Sequence, residues 1–120
     1  MANAADNVLT QLRDEIRTFV AERDWEQFHT PKNLAASLVV EAAELLEPFQ
    51  WLRTGELLEL SDRTRGQVEE ELADVLIQLI RLADKLNVDL AKAARDKLIV
   101  NAGKYPADLV RGDARKYTDY

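Results

Sequence analysis

The sequence predicts an all-α domain, a four-helix, bundle-like subunit. Three observations carry that expectation. Apolar residues recur at the i, i+3, i+4, i+7 spacing of a buried helix face in three successive segments, and end signals mark out a fourth helix after them. Residues suited to helix N-caps stand at Thr30 and at Asp89. No alternating apolar pattern runs long enough for a strand, and no internal repeat is visible. The chain of 120 residues fits one domain, placed at residues 1–110, followed by a loose polar tail at 111–120.

The first helix is expected over about residues 5–24, with Leu9, Leu12, Ile16, Phe19 and Val20 as its stripe. The segment from Asp24 to His29 breaks the period. It holds Trp25, Phe28 and the single histidine. Thr30 then suits an N-cap, with Pro31 at the first helical position, where its missing N–H costs nothing. The second helix runs to Leu46 or Glu47, because Pro48 is tolerated only at its end. Its stripe is Leu34, Leu38, Ala42, Leu45 and Phe49, flanked by Glu41, Glu44 and Glu47.

Residues 52–63 read as the most loop-like stretch, with Thr54-Gly55 and a short apolar patch of Leu57, Leu58 and Leu60. The third helix is expected over about residues 62–86. Val68, Leu72, Val75, Leu79, Ala83 and Leu86 form its main stripe, with Glu71, Asp74 and Gln78 beside it and Ile77 and Ile80 opposite. A helix apolar on two faces is buried on two sides, and in so small a domain the second side points to another subunit. Asn87 suits the helix end, Asp89 caps a fourth helix to about Ala102, Gly103 ends it, and Tyr105-Pro106 follows.

Composition narrows the function. Apolar residues make up 47% of the chain, which fits a folded protein. The net charge is −6 with no basic block, which argues against a nucleic-acid partner. Small anions remain suitable ligands if a divalent metal supplies positive charge. Without cysteine there is neither a disulfide framework nor a thiolate zinc site. No signal peptide and no 18-residue apolar run is visible, so the expectation is a soluble cytoplasmic protein with no membrane partner.

The chemistry concentrates in two acidic pairs. Glu41 and Glu44 are three residues apart on one helix, and Glu71 and Asp74 repeat the spacing on the next. At that spacing the side chains share a face, with Cβ atoms about 5–6 Å apart. A single such pair reads as a solvated acidic face. Here no Lys or Arg stands three or four residues from any of the four, whereas Glu69 has Arg65, Asp84 has Arg81 and Glu26 has Arg23. The four acids also border apolar stripes, where an uncompensated charge is costly. Carboxylates converging from two helices suit Mg²⁺, with Mn²⁺ as a substitute, over zinc or copper. Such an ion keeps sites for water and phosphate oxygens, which points to phosphoryl chemistry.

Set in order along the chain, these motifs resemble the MazG-like all-α nucleotide pyrophosphohydrolases, dCTP pyrophosphatase branch. The resemblance rests on Ala21 to His29, on Pro31-Lys32-Asn33-Leu34, and on Glu41 to Glu44. It continues through Phe49-Gln50-Trp51, Glu70 to Leu76, and Lys97 with Asn101 and Tyr105-Pro106. E-x-x-E alone is a weak motif; the ordered set is specific. The resemblance implies a homo-oligomer, commonly a tetramer, that hydrolyses a nucleoside triphosphate to the monophosphate and pyrophosphate with Mg²⁺. It implies that Glu41, Glu44, Glu71 and Asp74 hold the metal and are catalytic. It places Trp25, Glu26, Gln27, Phe28, His29 and Trp51 along the nucleotide pocket, and Lys97 and Asn101 at the substrate, Lys97 at phosphate. Glu41 and Glu47 are both candidates to orient the attacking water. Animal members of that branch carry a histidine where this chain has Ile16 and a tyrosine where it has Gln78. An aliphatic side chain and an amide thus stand at two substrate-pocket positions.

Without the resemblance, Trp25 and Trp51 read as core fillers more readily than as base-stackers, and Lys97 as a solvated helix lysine. The rival function is a non-catalytic oligomeric helical interaction module. A di-iron carboxylate bundle requires Glu-x-x-His pairs, and His29 completes none.

Overall fold

The computed structural model describes residues 4–119, with side chains from Val8 onward. These residues form two compact units, one through Val88 and one from Asp89. No strand occurs among the described residues, so the fold is all-α.

The first unit holds α1 (Ala4–Glu22), α2 (Pro31–Leu46) and α3 (Asp62–Lys85). The expected start signal at Thr30 operates as a cap, and Ser61, read from sequence only as part of a loop, caps α3 in the same way. The Thr30 side chain accepts a hydrogen bond from the Asn33 N–H at 3.2 Å, and Ser61 accepts one from the Thr64 N–H at 3.1 Å. Each satisfies a backbone donor that has no partner inside its helix. α1 stops two residues earlier than its apolar period suggests, because Asp24 takes a left-handed φ of 52° and turns the chain. Residues Glu26–Phe28 then make one 3-10 turn before α2. Pro48 ends α2, as expected, and Glu47–Phe49 tighten into another 3-10 turn.

α3 is the central element. α2 packs along it and α1 lies against it at fewer positions. On α2 the inward positions are Leu34, Leu38, Glu41 and Leu45. On α3 they are Thr64, Val68, Glu71, Val75, Gln78 and Leu82, with Ile80, Arg81 and Ala83 buried near the C-terminal end. This corrects the expected stripe. Leu72, Leu79 and Leu86 are exposed, while Glu71 and Gln78 sit in the groove and Ile80 is buried. The helix is apolar around much of its girth, so periodicity alone does not say which face meets α2.

The second unit holds α4 (Leu90–Lys104) and α5 (Ala107–Val110). The Asp89 side chain caps α4 by accepting from the Lys92 N–H at 3.0 Å. α4 runs through Gly103, contrary to expectation. It ends where Pro106 forces Tyr105 out of the helical region, at φ −125° and ψ 70°. In the segment expected to be a loose tail, the Tyr117 ring packs edge-on to Tyr105 at 6.0 Å, with the Lys104 ammonium 4.8 Å from its centroid.

Candidate metal centre

Glu41 and Glu71 occupy facing positions on the inward stripes of α2 and α3. Carboxylate oxygens of Glu41, Glu44 and Glu71 lie within 4.8 Å of one another. Oε2 of Glu41 and Oε2 of Glu71 are shielded from solvent and accept from no basic or neutral donor, so in the absence of a cation only a proton shared between the acids can bridge them. An orphaned carboxylate oxygen in a helix groove carries a desolvation cost that a cation would relieve. Burial pushes the Glu41 carboxyl up to about 7, with the charges of Glu44 and Asp74 adding to the shift. Glu71 is raised as well, by burial and then by Glu44. The charges that act most strongly on this pair are all acids, Glu47 among them.

Three of the four predicted acids therefore converge. Asp74 is exposed and stands outside the tight group, close enough for its charge to act on both Glu41 and Glu71. The donor set is carboxylate oxygen only, which fits a hard divalent ion. Ligand oxygens on an octahedral Mg²⁺ lie about 3–4 Å apart, so modest side-chain adjustment would bring the three into its shell.

The aromatic candidates flank this groove in the sequence and are open to solvent. Trp25 is 43% exposed, Phe28 59% and Trp51 89%, so none of them is a core filler. Trp25 meets the Phe19 ring edge-on at 5.8 Å, and the Arg23 guanidinium lies 3.7 Å over that same Phe19 ring. Trp51 leads into a loop organised by Glu59, whose carboxylate accepts from the N–H groups of Arg53, Thr54 and Gly55 and from the Thr54 hydroxyl. Those donors hold Glu59 down at about 2. Gln27 is exposed, and its amide donates to the Asp24 carbonyl at 3.1 Å. Gln78 is half-buried, one helical turn beyond Asp74. Lys97 is exposed and Asn101 half-buried, both on α4 of the second unit.

One network was not legible in sequence neighbours. Glu26 does not pair with Arg23. Its two carboxylate oxygens accept from Arg81 and Lys85 of α3. Arg81 Nε also donates to His29 Nδ1 at 3.1 Å. Asp84 is bound chiefly by Arg17 of α1, through Nε at 2.7 Å, with Arg81 farther off at 3.6 Å. The only local hint is Arg81 itself, a cation inside the apolar run Leu79-Ile80-Arg81-Leu82-Ala83, which demands a distant partner once buried. Arg17, Glu26, Arg81, Asp84 and Lys85 line a shallow polar cleft in which each of these three cations already holds a carboxylate.

Comparison with known proteins agrees with this architecture. The sequence model of the MazG-like family matches residues 36–120. The human protein named dCTP pyrophosphatase 1 is 50% identical over 103 residues, covering 84% of this chain and 61% of its own length. Its bovine counterpart is 45% identical over 118 residues, covering 97% of this chain and 70% of its own. The chain thus spans about three fifths of the human relative. A crystal structure of a pyrophosphatase from Archaeoglobus fulgidus superposes with a TM-score of 0.75 at 43% identity, covering 88% of this chain and 95% of that one. The all-α fold, the ordered acidic motifs and these matches converge on one assignment: the chain belongs to the MazG-like family.

Proposed function

We propose that the chain is a divalent-metal-dependent nucleoside triphosphate pyrophosphohydrolase. It converts a (d)NTP and water to the (d)NMP and pyrophosphate. The substrate is dCTP or a modified dCTP, and the role is cleansing of a cytoplasmic nucleotide pool. The observation that carries this reading is the inward-facing carboxylate group of Glu41, Glu44 and Glu71, with two buried oxygens that no basic or neutral donor reaches. Relatives named dCTP pyrophosphatase 1 support the substrate.

Mg²⁺ is the proposed ion, with Mn²⁺ as a substitute, held by Glu41, Glu44, Glu71 and Asp74. When bound, it supplies charge neutralisation at phosphate oxygens and lowers the pKa of a coordinated water. Glu41 and Glu47 remain the candidates to accept the proton of the attacking water. Trp25, Phe28 and Trp51 offer exposed rings to the base, Gln27 and Gln78 offer amides, and Lys97 and Asn101 are the further candidates to reach substrate, Lys97 at phosphate.

The subunit works as a homo-oligomer, a tetramer. In support, the buried apolar core among the described residues is Val20, Leu34, Ile80 and Ala83, while Val39, Val40, Leu72, Leu76, Ile77 and Leu79 stay exposed.

The test is a panel of NTPs, dNTPs and 5-modified dCTP analogues, with Mg²⁺ and with EDTA, resolving nucleotide products and pyrophosphate. Metal-dependent monophosphate plus pyrophosphate is expected, with a cytosine nucleotide turned over fastest. Glu44→Ala and Asp74→Ala should each lower kcat/KM by about 100-fold or more. Turnover that ignores EDTA, or persists in both variants, refutes the site. No turnover by folded, metal-loaded protein would favour the non-catalytic interaction module.

A further inference from the structure

Residues 25–29 present two different faces. In a 3-10 turn, residues i and i+3 eclipse one another. Trp25 and Phe28 therefore share one face, and both rings are exposed. Glu26 and His29 share the next, and both are gripped by one side chain of α3. We propose that Arg81 is a positioning residue for nucleotide binding, its fork locking Glu26 and His29 so that Trp25 and Phe28 stand as a fixed aromatic platform for the base. This rests on the pyrophosphohydrolase reading above. It assigns Glu26 and His29 as anchors of the pocket wall.

The geometry dictates the histidine's state. A guanidinium can only donate hydrogen bonds. Arg81 Nε stands 3.1 Å from His29 Nδ1, so Nδ1 must accept and the ring proton must sit on Nε2. An imidazolium has no lone pair with which to accept that bond. Burial first, and the Arg81 charge next, push the His29 imidazole below its ordinary value, which agrees with a neutral ring.

Arg81 is 4% exposed, and burying its charge is tolerable only with hydrogen-bonded partners. Its fork supplies two directed donors from one plane, which an ammonium cannot do. The loop is braced from the other side, where the Asn33 amide donates to the Phe28 carbonyl at 3.0 Å and the His29 N–H donates to the Glu26 carbonyl at 3.1 Å. α3 also carries Glu71 and Asp74, so Arg81 ties the aromatic platform to the helix that bears half of the proposed metal ligands.

The chain has a single histidine, so its imidazole signals in a long-range ¹H–¹⁵N spectrum need no assignment. In the wild type at pH 7 the spectrum should report a neutral ring with Nε2 protonated. Arg81→Ala should raise KM for dCTP by about tenfold or more with kcat within about threefold of wild type, and Arg81→Lys should recover part of that loss. A role in stability alone would lower Tm and leave KM unmoved.

The proposal is overturned by a charged or Nδ1-protonated ring in the wild type. It is equally overturned by unchanged KM in a variant whose helicity and melting match the wild type. If Arg81→Ala does not fold, Arg81→Lys and the wild-type spectrum decide. A wild type that turns over no nucleotide sinks the enzyme reading and this proposal's kinetic half with it. The spectrum still judges the fork, so the two failures are distinguishable.

Discussion

At position 41 an apolar stripe is interrupted by a carboxyl group pushed up to about 7 by burial and by its acidic neighbours. This has a sign that solution work can read. Between the ordinary carboxylate value of 4.5 and about 7, the metal-free folded state holds a proton that the unfolded chain has released. Its stability therefore falls as pH rises through that window, and Glu41 adds no further loss above it. Glu71 is raised and acts in the same direction. Urea unfolding in EDTA should show a lower midpoint at pH 8 than at pH 5. Glu41→Gln mimics the protonated acid, so it should narrow that difference while abolishing turnover. Metal affinity should rise over the same window, since the ion displaces the proton. An unchanged pH slope in Glu41→Gln would remove Glu41 as its source. The acids themselves were legible in the sequence because their spacing is local and no basic residue stands nearby. The partners of Glu26 and His29 were not, because Arg81 lies 55 and 52 residues away and nothing in the local pattern encodes that approach.

Helix boundaries were readable where chemistry marks them and misread where glycine suggested a stop that the backbone does not use. Thr30 and Asp89 cap as expected, and Ser61, which the sequence reading left in a loop, caps likewise, since a short side-chain acceptor satisfies an orphan N–H without any tertiary help. Thr30→Ala should cost about 1 kcal/mol in chemical denaturation. Gly103 is different. It lies inside α4, and a methyl group added there would meet no heavy atom within 4 Å. Gly103→Ala should therefore stabilise by about 0.5–1 kcal/mol. Gly55 gives the opposite outcome. Its φ is +73°, and an added Cβ would stand 2.9 Å from the Phe49 ring. Gly55→Ala should destabilise by about 1 kcal/mol or more and loosen the loop that Glu59 organises, read as faster proteolysis between residues 53 and 60. Equal stability of the two glycine variants would contradict both assignments.

At the scale of the whole molecule, several large apolar side chains on α2 and α3 stay open to solvent. Along α3, Leu72, Leu76, Leu79 and Leu86 recur at heptad-like spacing and are exposed, and Ile77, on the other side of the helix, is exposed as well. Val39, Val40 and Leu46 are exposed on α2. The sequence reading set Ile77 on a second apolar side; it did not reveal that Leu72, Leu79 and Leu86 of the expected main stripe would also be exposed, with Glu71 and Gln78 taking places in the groove toward α2. In the proposed homo-oligomer these exposed apolar residues would be covered between subunits. Folding and assembly should then be one equilibrium, so Tm should climb with protein concentration. Light scattering should give a tetramer for the wild type. Leu76→Asp and Ile77→Asp should each shift the mass to smaller species and lower helicity and turnover together. A monomeric wild type with a concentration-independent Tm would mean that the exposed leucines are tolerated singly, and that the acidic groove is held open by the subunit's own packing.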